Sequence, residues 1–155
     1  MGRSLPKDGL HKFLESLKSK GELVAPIKTD MTRFEVVEDL ERLDLESNPF
    51  FPIKKYFLPN EEVLLQIGNG KTKDIKPKAK TRIIFGARLC DINGISVLDK
   101  LFLDHKYPDR NYKERRENTI IIGYNCTTPP SKWCFCSSMN LQKETYDILL
   151  HERKD

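Results

Sequence analysis

Four cysteines, Cys90, Cys126, Cys134 and Cys136, are the residues of this 155-residue chain best suited to chemistry, spaced C-x35-C-x7-C-x-C. Three of them fall within eleven positions, in a polar, proline-bearing stretch. Structural thiols usually sit in apolar segments as small hydrophobes. Three readings stay open on the residues: inert thiols, a structural zinc, and an iron-sulfur cluster; disulfides are disfavoured in a reduced compartment. Zinc sites usually use C-x2-C knuckles, which aim two thiolates at one ion, and the chain has none. An extended Cys134-Phe135-Cys136 would turn both sulfurs to one side, a spacing that serves two irons of one cluster. Trp133 and Phe135 would then either keep water from that centre or pack in the core.

These cysteines must be positioned by the elements before them. Residues 81–88 form a β-rich apolar run ending at Leu89-Cys90-Asp91, and a helical pattern of Ile92, Ile95, Leu98, Leu101 and Phe102 follows. Residues 118–124 contain Ile120-Ile121-Ile122, a central-strand signal, and end at Asn125-Cys126-Thr127. Both cysteines therefore leave the carboxyl ends of buried strands, the edge where open α/β sheets place ligands. Residues 127–140 lack hydrophobic periodicity and predict a loop carrying Cys134 and Cys136.

The remaining pattern predicts an opening amphipathic helix over residues 6–20 and a β-hairpin over residues 22–38. Pro49, Pro52 and Pro59 exclude regular structure from residues 47–59, an aromatic segment expected to lie pinned against the core. Asn60 is expected to cap a short helix over residues 61–65, residues 68–80 to form a polar loop, a helix to begin at Pro108, and residues 146–155 to start a strand. The expected fold is α/β, with α+β compatible: a mixed sheet whose central strands are residues 81–87 and 118–123, with flanking helices and a cysteine-bearing loop. Residues 1–155 read as one domain.

Composition excludes several classes. No apolar stretch approaches the roughly 18 residues of a membrane span, and the N-terminus lacks a secretory apolar run, so a cytoplasmic location is expected. The 27 basic and 23 acidic residues are interleaved, which leaves little field to steer a nucleic acid. Local basic concentrations at Lys71, Lys73, Lys76, Lys78, Lys80 and Arg82, and at Arg110, Lys113, Arg115 and Arg116, read as solvated faces or as docking surfaces for an acidic partner. No phosphate-binding loop is present, since Gly68-Asn69-Gly70-Lys71 is too short and precedes no helix. His11, His105 and His151 are dispersed, and only His105 is a candidate ligand. Asp91 is expected to cap the helix after Cys90, and Asp99 to pair with a basic residue. Arg88 either bridges to Asp91 or Asp99 or donates hydrogen bonds near the sulfurs of a cluster.

Gly86-Ala87-Arg88-Leu89-Cys90-Asp91, Leu98-Asp99-Lys100-Leu101-Phe102, Tyr112 with Arg115-Arg116-Glu117, Asn125-Cys126 and Cys134-Phe135-Cys136 resemble the beta subunit of cytoplasmic sulfhydrogenases and the related A subunit of anaerobic sulfite reductase. Residues 52–59 with Glu62-Val63-Leu64 resemble the same family. The resemblance implies a non-catalytic electron-transfer subunit whose four cysteines hold a 4Fe-4S cluster. Its partners would be a flavin-containing, NAD(P)H-dependent subunit and a hydrogenase or sulfite reductase subunit. In that family a ferredoxin-like segment with repeated C-x2-C-x2-C-x3-C runs follows. Those runs are absent here, so the chain is expected to stop before such a segment. Ala87 and Leu89 also stand where valine and proline are expected, and the glycine expected before Tyr146-Asp147 is missing. The alternative is a non-redox interaction module stabilised by zinc.

Overall fold

Runs such as Leu23-Val24-Ala25 and Ile83-Ile84-Phe85 are apolar at every position because both faces of their sheet are covered. In the computed structural model, which describes residues 4–6, 8–75, 80–141 and 145–153, α1 (Gly9–Lys18) leads into β1 (Glu22–Lys28) and β2 (Thr32–Val36). A small hairpin, β3 (Leu65–Gly68) and β4 (Lys71–Asp74), precedes β5 (Arg82–Arg88), α2 (Leu89–Phe102), α3 (Arg110–Glu117), β6 (Thr119–Asn125) and β7 (Ile148–His151). The main sheet has the order β2-β1-β5-β6-β7. Only the β1–β2 pair is antiparallel. The expected α/β fold with a mixed sheet is thus observed.

The strand alternation divides the core in two. Leu23, Ala25, Ile27, Ile83, Phe85 and Ile122 pack with Leu14 of α1 on one face. Val24, Ile84, Ala87 and Ile121 pack on the other with Ile92 and Ile95 of α2, Tyr112 of α3, and Ile53 and Phe57. Ile53 and Phe57 come from the proline-rich segment, whose regular structure is limited to a 3-10 turn over Ile53–Tyr56. Phe50 and Phe51 of that segment are exposed, so it is pinned at its second half only.

α3 begins where Asp109 accepts the Tyr112 backbone N–H at 2.7 Å, a side-chain N-cap. The Tyr112 hydroxyl donates to Asp99 Oδ1 at 2.7 Å, and Arg116 Nε donates to Asp99 Oδ2 at 3.1 Å. Asp99 thus has the basic partner expected of it, and α2 is locked to α3.

Two expectations are corrected. Asn60 caps no helix: residues 61–64 are irregular, and Leu65 opens β3. The polar loop contains a hairpin instead, with Leu65 paired to Asp74 and Gly68 to Lys71. Asn69 and Gly70 both have positive φ, 50° and 70°, as a type I′ turn requires. Arg110 Nη2 ties this hairpin to α3 through Asp74 Oδ2 at 2.5 Å. Lys76 and Lys78 of the basic concentration lie outside the described residues. The final segment does form a strand, β7, held by the Ile121 N–H donating to Asp147 Oδ2 at 2.7 Å and the Asp147 N–H donating to the Ile121 carbonyl at 3.0 Å.

Candidate metal centre at the carboxyl edge of the sheet

β5 and β6 are parallel neighbours, so their carboxyl ends lie side by side, and each delivers a cysteine there. Cys90 is the second residue of α2, and Cys126 follows the last residue of β6. Cys134 is on the following loop, and Cys136 opens a 3-10 turn over Cys136–Ser138. All four thiols are free. The Cys90 thiol is pushed up to about 11, first by desolvation from the surrounding protein, then by the charge of Asp91 and of the Cys136 and Cys126 sulfurs. The Cys126 and Cys136 sulfurs therefore both lie within electrostatic reach of Cys90. The fourth, Cys134 Sγ, receives a long 4.0 Å contact from Asn48 Nδ2. Among the described residues, no group of three or more His, Cys, Asp or Glu side chains is arranged to hold a metal ion.

Arg88 is at the centre of this edge, only 5% exposed. Its Nη1 donates to Cys126 Sγ at 3.1 Å, and its Nη2 donates to the Leu45 carbonyl and to the Ser47 carbonyl, the latter at 3.3 Å. The guanidinium lies 5.4 Å from the centroid of the Tyr124 ring. It pairs with neither Asp91 nor Asp99: Asp99 is held by Arg116, and Asp91 feels Arg88 only as a nearby charge. Burial pushes the Asp91 carboxyl up to about 6, against the lowering influence of Arg88. Asp91 is not the helix cap either, because α2 starts at Leu89 and its third residue is too late to cap it.

The carbonyls that receive Arg88 are held in place by Asp44. Its carboxylate accepts the backbone N–H groups of Glu46 and Ser47, both at 3.0 Å, and the Thr32 hydroxyl. Burial opposes ionisation, but the Ser47 amide and the Thr32 hydroxyl prevail and hold the Asp44 carboxyl well below the usual carboxylate range. A depressed folded value stabilises the fold fully above the unfolded value of about 3.9, and that stability is lost as pH falls through the folded value. Asp44→Asn is therefore expected to cost on the order of 2 kcal/mol at pH 7. In denaturant titrations the gap to wild type should narrow below pH 4; a gap that is unchanged at pH 3 would contradict this.

Other site expectations change. Phe135 has φ −130° and ψ 30°, and Cys136 begins a 3-10 turn, so Cys134-Phe135-Cys136 is not an extended pair. Trp133 and Phe135 are 76% and 64% exposed, so neither packs in the core. His105 is exposed beyond the far end of α2, roughly 20 Å of helix from Cys90, and is no ligand partner for it. His11 is near Glu41, and His151 near Asn125. Asn48, Asp44 and the carbonyls of Leu45 and Ser47 were not anticipated at the site. Asp44, two and three residues before the amides it accepts, carried an Asx-turn signal.

The chain is 33% identical over 148 residues to sulfhydrogenase 2 subunit beta of Pyrococcus furiosus, an alignment covering 93% of the chain and 43% of that protein. The chain is a relative of a sulfhydrogenase beta subunit. It spans less than half of that relative's length. No family model and no solved structure matches the chain. Among the described residues, no helix is long and apolar enough to cross a membrane.

Thiolates are the donors an iron-sulfur cluster takes, and four free cysteines are present. Cys90, Cys126 and Cys136 approach this edge, Cys134 lies on the adjoining loop, and the His151 imidazole stands beside Asn125; the positive end of α2 and the Arg88 cation would offset the negative charge that bound thiolates bring. As a ligand Cys90 would have to give up its proton, which would couple loading to pH.

Proposed function

We propose that the chain is an electron-transfer module in which Cys90, Cys126, Cys134 and Cys136 ligate one 4Fe-4S cluster. The observation that carries this reading is that adjacent parallel strands deliver Cys90 and Cys126 to one edge, with the Cys136 sulfur within electrostatic reach of Cys90. When bound, the cluster supplies one-electron transfer. The chain's own residues supply soft ligands, a buried cation beside one of them, and a protein surface bearing exposed Trp133 and Phe135 next to the site. Those two aromatic side chains suit coverage by another subunit or segment.

The relative's name places it in a hydrogenase assembly. By that relationship the module relays electrons between a flavin-containing, NAD(P)H-dependent subunit and a hydrogenase or sulfite reductase subunit, in the cytoplasm. Residues 1–155 then act as one cluster-binding domain, with a ferredoxin-like domain beyond it. Anaerobic reconstitution with iron and sulfide is expected to load about four irons and four acid-labile sulfides per chain. Zinc without acid-labile sulfide would favour the zinc-stabilised interaction module instead.

A further inference from the structure

Within β5, Ile83 and Phe85 face α1, while Ile84 and Ala87 face α2. Strict alternation would put Ala87 beside Phe85, and Arg88 on the α2 face beside Ile84. The pairing of β5 with β6 shifts register between Phe85 and Ala87, and Gly86 between them has φ 80°. A one-residue slip exchanges the faces of every side chain after it. Arg88 is thereby turned to the α1 face, where Leu45 packs and where the Leu45 and Ser47 carbonyls await it.

The consequence is a buried cation held in place from both sides. Two carbonyls and the Tyr124 ring fix the guanidinium, leaving Nη1 aimed at Cys126 Sγ at 3.1 Å. A guanidinium is always charged and is planar, so it can hold the loop carbonyls and the sulfur at once. A lysine ammonium keeps the charge without that fork.

The geometry points to Arg88 as the positioning residue that sets the reduction potential of the centre held by Cys126, through a charge-assisted hydrogen bond to that sulfur. This inference rests on the cluster reading above. Reduction adds negative charge, and hydrogen bonds and positive charge at a ligand sulfur favour the reduced state. Arg88 therefore raises the potential.

The test compares wild type, Arg88→Lys and Arg88→Gln in the 155-residue chain, reconstituted anaerobically, with iron content measured and the midpoint potential read by redox titration of the cluster spectrum. Arg88→Gln is expected to shift the midpoint to more negative potential. Arg88→Lys should fall between it and wild type, since it keeps the charge and loses the fork. Should Arg88→Gln not fold, a negative shift in Arg88→Lys at full iron content carries the same conclusion. Equal potentials in wild type and a fully loaded variant would overturn the role of Arg88 while leaving the cluster intact. A wild-type protein that takes up no iron and sulfide would sink the cluster reading and this inference with it.

Discussion

Replacing Cys126 with serine is expected to reduce bound iron and acid-labile sulfide to background while leaving the fold in place. Cys126 leaves β6 at the edge shared with Cys90 and is the thiol that receives Arg88. Serine offers a hard, weakly acidic oxygen in place of a soft thiolate, and the cluster needs all four sulfur ligands. The substitution removes no disulfide and no core side chain, because Cys126 is free and only partly buried. Iron analysis after anaerobic reconstitution should show the loss, and thermal unfolding of the metal-free protein should match that of metal-free wild type. Full iron loading in the serine variant would remove Cys126 from the ligand set.

The second large effect is expected at Gly86, where the backbone itself aims the site. Its φ of 80° is left-handed, which costs a residue with a Cβ about 1–2 kcal/mol. A Cβ there would also lie 3.0 Å from Leu45 Cδ2 and 3.0 Å from Pro26 Cδ, and overpacking of this kind typically costs about 1–3 kcal/mol. Together Gly86→Ala should destabilise by about 2–5 kcal/mol, a fall in Tm of roughly 5–20 °C for a chain of this size. Gly94, in α2 with no atom within 4 Å of its Cβ position, is the control. Gly94→Ala should stabilise by up to about 1 kcal/mol. Similar melting temperatures for the two variants would contradict the assigned role of the register shift.

The parts of the fold that were legible are those set by local pattern. The apolar runs of β1, β5 and β6 marked strands buried on both faces, and each cysteine at a strand end was placed at the sheet edge it occupies. The parallel pairing of β5 and β6, which the sequence pattern left within a mixed sheet, is accommodated by the two helices that connect them. The β3–β4 hairpin was missed although Asn69-Gly70 is a strong turn signal, because both strands are exposed throughout and Lys71–Asp74 carries no apolar residue to mark a buried face. Arg88 could not be assigned a face, since that depends on a slip at Gly86 which only pairing with β6 reveals. A glycine inside a strand pattern is a hint of such a bulge, but not of its direction. The loop over residues 44–48 reaches the site from far away in the sequence, and nothing in its local pattern points to Cys126 or Cys134.

The central claim is that these four thiols hold one redox-active cluster, and a low-temperature EPR spectrum of the anaerobically purified, dithionite-reduced 155-residue chain tests it most directly. For the 155-residue chain the account predicts a paramagnetic signal from a reduced 4Fe-4S cluster that disappears on reoxidation and is absent from the Cys126→Ser variant. A spectrum with no signal in wild type, from protein carrying zinc or no metal at all, would contradict it.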